Sequence, residues 1–196
     1  MQAHPLANAT RRLFLSRSGQ TTLSAATVGL LAGCGSMASA QMSSSTMNTD
    51  VNTLNIALGL EHEAINAYQL GAGSGLLQKP VLDVAVLFQS HHKGHRDALI
   101  ATIEKLGGRP VVEKSLDDYA KALNAGSLKN QADVLALAAR LELGAANAYL
   151  GVIPAFKDTA LAQVAARLAA DETMHWTALS QALGRPLPTK ALSFGG

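Results

Sequence analysis

The chain has 196 residues, of which 48% are hydrophobic and 4% aromatic, with 16 basic and 14 acidic side chains. This hydrophobic share is enough to bury a core, and the abundance of Ala and Leu favours helices over strands. The first 34 residues hold three arginines and no acidic residue, which leaves 13 basic against 14 acidic side chains in the remainder. A near-neutral domain lacks the basic surface that nucleic-acid binding requires, so nucleic acid is excluded as a partner.

The N-terminal segment resembles a bacterial export signal and lies outside the predicted fold. The pair Arg11-Arg12 is followed by x-Phe-Leu, as in twin-arginine signals, and a mildly apolar stretch too short to span a bilayer comes next. It ends at 31–34 in Leu-Ala-Gly-Cys, which resembles the lipobox of bacterial lipoproteins. The resemblance implies a signal peptide over 1–33 and lipidation of Cys34. The alternative is an ordinary signal cut after Ala40, which would give a soluble periplasmic protein.

A tether is predicted between this signal and the folded domain. Residues 34–50 are mostly small or polar, with no charge before Asp50, which is typical of a flexible linker. A lipidated Cys34 implies that the partner of this segment is a membrane, on its periplasmic side. The twin-arginine route generally carries folded proteins, often with a cofactor inserted, so the resemblance also favours a metalloprotein.

Four long helices are predicted after the tether, as two hairpins joined by a long crossover. Glycine-rich stretches and Gly-x-Pro sequences end the first, second and fourth helices, and Pro80 suits the first turn of the second. A short helix in the crossover is opened by Ser115 and Asp118 in the manner of a capping box. The long helices are predicted over 51–70, from after Pro80 to 106, over 130–152 and over 158–183, and the short helix over 115–123. The whole bundle is predicted to cover 51–184, followed by a C-terminal tail over 185–196.

The two predicted hairpins repeat one sequence pattern. The segment 60–68, Leu-Glu-x-x-Ala-x-Asn-Ala-Tyr, recurs at 141–149, 81 positions later. The segment from His92 to Leu99 matches the segment from Glu172 to Leu179, 80 positions later, because both have a histidine at the fourth residue and end in Ala-Leu. The matching order, spacing and terminators predict a bundle with an internal pseudo-two-fold axis.

Acidic and histidine side chains interrupt the apolar faces of all four long helices. On the fourth helix, Glu172 and His175 occupy heptad positions of the apolar stripe, so both are predicted to point into the core. Two histidines interrupt the apolar stripe of the second helix in the same way, and the first and third helices each hold one glutamate among apolar neighbours. The six candidate side chains are Glu61, His92, His95, Glu142, Glu172 and His175.

Charge balance indicates why these side chains would need a cation. A buried carboxylate is costly unless it is paired, hydrogen-bonded or bound to a cation, and no lysine or arginine lies on the predicted inner faces. At about 1.5 Å per residue, the groups lie at similar distances from one end of the bundle. We therefore predict a divalent metal pair in the core, with a metal-free network of hydrogen bonds as the alternative.

This pattern resembles the ferritin-like di-metal carboxylate proteins, in which two helices each supply one Glu and two others each supply Glu-x-x-His. Glu61 and Glu142 match the single glutamates, and Glu172 with His175 matches one complete motif. The resemblance covers roughly residues 51–184 and is nearest to bacterial ferritin-like domain proteins. It implies an all-α ferritin-like four-helix bundle, a metal pair with iron as the leading candidate, and an orienting role for Asp171 toward a ligand histidine.

One position departs from the family pattern. The second helix reads His92-x-x-His95, so an imidazole stands where a bridging carboxylate is expected. Three carboxylates and three histidines are less anionic than the usual four and two, which shifts the preference from ferric iron toward Fe(II), Mn(II), Zn(II) or copper. His91, four residues before His95, is an alternative ligand, although the repeat alignment favours His92.

Three functions are open on these residues. The first is an oxidoreductase whose metal pair reduces oxygen or peroxide and oxidises Fe(II) or another reductant. The second is a metal-binding or stress-protective envelope protein without turnover, favoured by the histidine at position 92 and by the lipid tether. The third is a metal-free structural helical bundle. The electron donor and the oligomeric state do not follow from the sequence, and a homodimer stays open.

Overall fold

The structure is a computed structural model, and it describes the backbone of residues 36–195 and the side chains from residue 49 onward. The predicted all-α architecture of two helical hairpins and a long crossover is confirmed, and no strand occurs in the described range. None of the helices in that range is both long and apolar enough to cross a bilayer. The helices are α1 (Ser36–Gly73), α2 (Lys79–Lys105), α3 (Leu116–Ala122), α4 (Gln131–Val152) and α5 (Thr159–Ala182).

The first helix begins well before its predicted start. α1 begins at Ser36, whereas the sequence predicts a helix from Val51 and a flexible tether over 34–50. No Gly or Pro lies between Ser36 and Gly59, so nothing in the sequence breaks the helix upstream of Val51. The prediction of irregular chain was therefore wrong from Ser36 onward. The predicted signal peptide and Cys34 lie outside the described residues.

Side chains cap the starts of α3, α4 and α5. Ser115 accepts a hydrogen bond from the backbone N–H of Asp118 at the start of α3, and its hydroxyl donates to the Asp118 carboxylate at 2.6 Å. Asn130 caps α4 and Asp158 caps α5 in the same way, each accepting from a backbone N–H of the first turn. These side chains satisfy backbone donors that the helix itself leaves unpaired.

The second helix of each hairpin ends in the same motif. Gly107 follows α2 with φ +74°, and its N–H donates to the Glu104 carbonyl at 2.9 Å. Gly184 follows α5 with φ +66°, and its N–H donates to the Gln181 carbonyl at 3.0 Å. A left-handed residue after the last turn is favourable for glycine because it lacks a Cβ. The repeated terminators of the sequence thus produce matching helix ends.

The crossover of residues 106–130 lies along α1 and is held there by polar side chains. Asn55 donates to the carbonyl of Arg109 at 3.0 Å and accepts from the N–H of Val111 at 2.8 Å. Further along α1, Asn66 donates a hydrogen bond to the Glu113 carboxylate. Its repeat equivalent Asn147 accepts from the N–H of Gly195 in the C-terminal tail. The two repeated asparagines therefore each hold the segment that follows their hairpin.

Two apolar layers enclose a polar layer in the middle of the bundle. One layer centres on Leu58, Leu99 and Ile103, of which none is more than 2% exposed. The other centres on Phe88 and Ala139. The charged candidates lie between these layers on every long helix, because each occurs in sequence between members of the two clusters. The fold therefore buries the six candidate side chains.

Candidate metal centre

All six predicted side chains are buried and face one another across the four long helices. Glu172 and His175 have no exposed surface, and the most exposed of the six, His95, retains 9%. α1 and α4 each supply one glutamate, and α2 and α5 each supply two residues spaced one helical turn apart. The heptad positions inferred from the sequence thus converge in one polar layer.

His92 lies between the two single glutamates. Its Nδ1 is 2.8 Å from Glu61 Oε2, and its Nε2 is 3.2 Å from Glu142 Oε1. Nε2 also lies 3.7 Å from Glu172 Oε2. The histidine that replaces the expected carboxylate therefore contacts both halves of the site.

Glu172 also faces both halves, with one oxygen on each side. Its Oε1 lies 3.2 Å from His95 Nδ1, and its Oε2 lies 3.3 Å from His175 Nδ1. The angles do not suit hydrogen bonds, so both Glu172 oxygens and His95 Nδ1 have no hydrogen-bond partner among the described residues. Three buried polar atoms without partners are costly, and each has a lone pair that a cation would satisfy.

The ligand atoms form two overlapping groups that could each hold a metal ion. Within each group they lie within 4.8 Å of one another, and His92 and Glu172 belong to both. No lysine or arginine forms a hydrogen bond or ion pair with the six side chains in the part of the chain that the structure describes. The carboxylate and imidazole donors fit a divalent transition metal, whereas their assignment as ligands stays a prediction. One group is Glu61, His92, His95 and Glu172, and the other is His92, Glu142, Glu172 and His175.

Contacts on the outer side of the site orient His95 and His175. His95 Nε2 lies 3.2 Å from Asp171 Oδ2, the contact that the family resemblance implies. His175 Nε2 lies 2.9 Å from His91 Nδ1. Both contacts leave the Nδ1 of the inner histidine facing the carboxylates. His91 belongs to neither group, so the structure favours His92 over His91 as the inner residue.

His91 and Asp171 are equivalent positions of the sequence repeat. Each immediately precedes the paired positions of its helix, and each orients the histidine of the opposite hairpin. The 80-residue repeat offered this signal, since position 91 aligns with position 171. The sequence interpretation of His91 as an alternative ligand missed the role of an orienting side chain.

Two tyrosines complete the site, although the sequence pattern favours core packing for both. Tyr68 of α1 donates its hydroxyl hydrogen to Glu142 of α4, and Tyr149 of α4 donates to Glu61 of α1. Both tyrosines are buried. Their signal was the Glu-x₆-Tyr spacing present in both repeats, but the same spacing also suits ordinary core packing. Each tyrosine thus bonds the glutamate of the other hairpin.

Burial and hydrogen bonding set the protonation of this layer. Burial alone would raise the pKa of Glu61, but the hydrogen bond with His92 and the nearby His95 outweigh it and lower the pKa from 4.5 to about 2. Glu142 has a lowered pKa because contacts with His175 and His92 likewise outweigh burial. Glu172 differs, since burial raises its pKa. Burial and the neighbouring carboxylates raise the pKa of both tyrosines, which keeps them as hydrogen donors.

The histidines carry the compensating protons in the metal-free protein. Burial would lower the pKa of His92, but contacts with Glu142 and Glu61 raise it from 6.5 to about 11. For His95, contacts with Glu172 and Glu61 overcome burial and raise the pKa to about 10. The carboxylates therefore attract positive charge strongly. In the metal-free protein, protons on the histidines balance the negative charge that a bound cation would otherwise balance.

Comparisons with known proteins agree with this architecture. The family model described as a ferritin-like domain matches residues 49–185. The bacterioferritin-related protein of Bacteroides fragilis, a dodecameric thioferritin, has a TM-score of 0.61 at 18% identity over 76% of this chain and 94% of that chain. A conserved hypothetical protein of Mycobacterium tuberculosis, rv2844, has a TM-score of 0.59 at 22% identity over 76% and 98% of the respective chains.

These two structural likenesses show a shared fold, and no curated protein sequence matches the chain. The family match covers most of the bundle, including all six buried side chains of the polar layer. It also begins two residues before the predicted domain start at 51 and ends one residue after its predicted end at 184. The chain belongs to the ferritin-like domain family.

Proposed function

We propose that the protein is an exported oxidoreductase that binds a divalent metal pair, with iron as the leading candidate, and reduces peroxide or oxygen at the expense of a reductant. The observation that carries this proposal is the pair of Glu172 oxygens, which are fully buried and lack a hydrogen-bond partner in the described part of the chain. Each oxygen faces a histidine nitrogen on its own side of the site.

The proposed ligands divide into two positions that share residues. One position would use Glu61 and His95, the other Glu142 and His175, with Glu172 between them. When bound, a redox-active metal pair would supply electrons to peroxide or oxygen. The reduction of one peroxide to two waters consumes two electrons and two protons, so a reductant of the Fe(II) class has to supply the electrons.

The surrounding residues prepare the site for this role. Tyr149 bonds Glu61 Oε1, which leaves Glu61 Oε2 directed at His92. Tyr68 bonds Glu142 Oε1, which His92 also faces, and this leaves Glu142 Oε2 directed at His175. Asp171 and His91 hold the outer nitrogens of His95 and His175, so the inner nitrogens present their lone pairs to the site. The apolar layers on both sides exclude water and strengthen these interactions.

A non-catalytic metal-binding protein is the second candidate, and His92 favours it. A carboxylate can bridge two cations, whereas a neutral imidazole offers one free lone pair. A pair that lacks this bridge would be held less tightly in its oxidised form. The purely structural bundle is less well supported, because a network that only set helix register would satisfy the oxygens of Glu172 with hydrogen bonds.

Metal content tests the proposed site directly. The purified protein is reconstituted without oxygen with Fe(II), Mn(II) or Zn(II), passed through a desalting column and measured by elemental analysis. We expect about two ions per chain, since the structure holds two groups of ligands. Glu142→Gln and Glu172→Gln should each lose most of the bound metal, whereas Glu104→Gln, on the exposed face of α2, should keep it. Equal metal content in all three variants would reject the site.

Turnover separates the two candidate functions. The iron-loaded protein is mixed with hydrogen peroxide and a reductant, and peroxide consumption is followed with an electrode. Consumption that depends on Glu172 supports the oxidoreductase, whereas full metal occupancy without consumption supports the binding protein.

The proposed location of the protein is the periplasmic face of a membrane, because segment 1–33 resembles an export signal and Cys34 resembles a lipidation site. In that setting, Cys34→Ala should release the protein from the membrane fraction.

A further inference from the structure

A pocket with four ionisable side chains among its nine lining residues, termed the polar pocket, leads from the surface toward the candidate metal centre between α1 and α4. Its volume is about 220 Å³. A water-sized molecule needs roughly 10–15 Å³ of such space, so the pocket has room for a small guest with its hydration water. The pocket is lined by His92 and Glu142, both of which belong to the proposed metal centre.

The walls of the pocket come from equivalent positions of the sequence repeat. Leu60 and Ala64 of α1 face Leu141 and Ala145 of α4, 81 positions later in each case. The pocket therefore lies across the pseudo-two-fold axis. If both walls were the same, the side chain that Glu63 supplies on α1 would be matched by a second one on α4, and the pocket would be narrower.

Gly144 breaks this equivalence and opens the α4 wall. It occupies the repeat position that Glu63 occupies on α1, and both residues line the pocket. A Cβ placed at Gly144 would meet no other atom within 4 Å, so the glycine is not required by close packing. Glycine within a helix costs about 0.5–1 kcal/mol relative to alanine. Gly59 and Gly94 are equally free of close contacts, but Gly144 differs from them because it lines the pocket, where a side chain would take up space.

The charges around the pocket favour an uncharged guest. The outer wall carries the exposed Arg140 on one helix and the half-buried Glu63 on the other. Neither forms an ion pair in the described part of the chain. Opposite charges at the same opening give no net attraction for an anion or a cation, while both offer hydrogen bonds to a polar molecule.

An apolar cavity of about 210 Å³ near Tyr68 is the rival entrance. Its lining consists of aliphatic side chains and the tyrosine ring, and Ala64 lines both this cavity and the polar pocket. A strongly hydrated molecule would lose its hydrogen bonds on entering the apolar cavity. The two spaces therefore suit guests of different polarity.

We propose that the pocket beside Gly144 is the entrance through which a small, uncharged, polar oxidant of the hydrogen peroxide class reaches the metal centre. The role of the oxidant at the metal centre rests on the proposed function, but access through the pocket can be tested in the metal-free protein. Gly144 acts in this role by leaving space, and Arg140 and Glu63 by binding the guest in transit.

A thiol placed at the inner wall reports access in the metal-free protein. The variant carries Cys34→Ser, which removes the single natural cysteine, together with Ala64→Cys. Hydrogen peroxide transfers one oxygen to the thiolate, its O–O bond breaks, and the other oxygen leaves as water, so sulfur is oxidised to the sulfenate as peroxide is reduced. The sulfenate is trapped with dimedone, and its rate of formation is measured by mass spectrometry.

Blocking variants distinguish the two entrances. Gly144→Phe should slow the oxidation about tenfold, which corresponds to a rise of about 1.4 kcal/mol in the barrier to access. Gly59→Phe is the matched control, because Gly59 is also an exposed helical glycine with no atom within 4 Å of an added Cβ, and it does not line the pocket. It should leave the rate unchanged. Circular dichroism checks that all variants stay helical.

The outcomes separate this inference from the proposed function. If Gly144→Phe leaves the oxidation rate unchanged while Ala138→Leu, which fills the apolar cavity, lowers it, the polar pocket is not the entrance. If Gly144→Phe blocks the thiol but the metal-loaded parent protein consumes no peroxide, the entrance stands and the oxidoreductase fails. If the pocket is the entrance and the protein is an oxidoreductase, Gly144→Phe should also slow peroxide consumption at unchanged metal content.

Discussion

His92 faces Glu61 with one ring nitrogen and Glu142 with the other. A neutral imidazole keeps one proton and one free lone pair, so His92 can bind a cation on one side only while its other nitrogen donates to a glutamate. Glu172, its repeat equivalent, has an oxygen for each side. The two proposed metal positions are therefore chemically unequal, and we attribute that inequality to one residue.

The spacing of polar residues was sufficient to predict the inner side chains, because each interrupts an apolar heptad stripe and so has to face the core. Tyr68 and Tyr149 could not be assigned in this way, since an aromatic residue in an apolar stripe has an obvious packing role. Only the distance across the bundle shows that their hydroxyls bond Glu142 and Glu61. Pairings between hairpins depend on helix rotation, which the periodicity does not specify.

The contact between Tyr68 and Glu142 predicts a stability effect in the metal-free protein. Tyr68→Phe removes a buried hydrogen bond to a charged group, which is worth about 1.5–3 kcal/mol. We expect the free energy of unfolding to fall by that amount after chelation. Denaturation with urea, followed by circular dichroism at 222 nm, measures it.

Tyr119 supplies the matched control for this substitution. It is also a buried tyrosine, but its hydroxyl accepts only a long hydrogen bond of 3.4 Å from the N–H of Lys114. Tyr119→Phe should therefore cost less than Tyr68→Phe. Equal costs would mean that the Glu142 contact contributes nothing beyond the burial of a tyrosine ring.

The helix ends are the elements best predicted from the sequence, because their chemistry is local. Capping side chains and left-handed glycines act within four residues, so Ser115, Asn130 and Gly107 could be assigned without knowledge of the fold. The start of α1 could not be placed this way. The small polar residues before Val51 are compatible with both helix and linker, and no breaker separates the two.

The packing of the crossover against α1 predicts a second stability effect. A Cβ added to Gly108 would lie 2.5 Å from Val51 Cγ1 and 3.0 Å from Ile103 Cγ2. Gly108→Ala should therefore lower the free energy of unfolding by about 1–3 kcal/mol through overpacking. The midpoint of thermal unfolding provides the measurement, with a fall expected.

A double variant identifies the cause of this destabilisation. Combining Gly108→Ala with Val51→Ala removes the two Val51 methyl groups, which would lie 2.5 and 3.0 Å from the added Cβ, and leaves Ile103 Cγ2 in place. The two effects should therefore be non-additive, with the double variant less destabilised than the sum of the single variants. Gly94→Ala is the control, because nothing lies within 4 Å of its added Cβ, and helix propensity should raise stability slightly. Strictly additive costs would place the strain elsewhere than at Val51.

The charge balance of the whole site sets the pH dependence of the metal-free protein. The pKa of His92 is about 11 and that of His95 about 10 in the folded state, against 6.5 for an unperturbed histidine. Their stabilisation is fully present below pH 6.5 and is lost as the pH rises toward those values. Glu61, with a pKa of about 2 against 4.5, adds stability above pH 4.5 that is lost in acid.

We therefore expect the unfolding temperature of the chelated protein to fall steadily as the pH rises from about 6.5 to 10. Metal replaces the protons on the histidines, so the metal-loaded protein should show a smaller alkaline decline. Differential scanning calorimetry of both forms across this range makes the comparison. Burial raises the pKa of Glu172 and weakens the acid-side effect, so the alkaline side is the cleaner test. An unchanging unfolding temperature for the chelated protein would contradict the proposed proton balance.

The long crossover has a consequence for how two chains can pair. The bonds from Tyr68 to Glu142 and from Tyr149 to Glu61 run between hairpins, and only residues 106–130 join those hairpins covalently. Two molecules that exchanged their second hairpins would remake each of these bonds between chains instead of within one. The entwined pair would contain two complete sites, each built from both molecules, and separating them would require both sites to open.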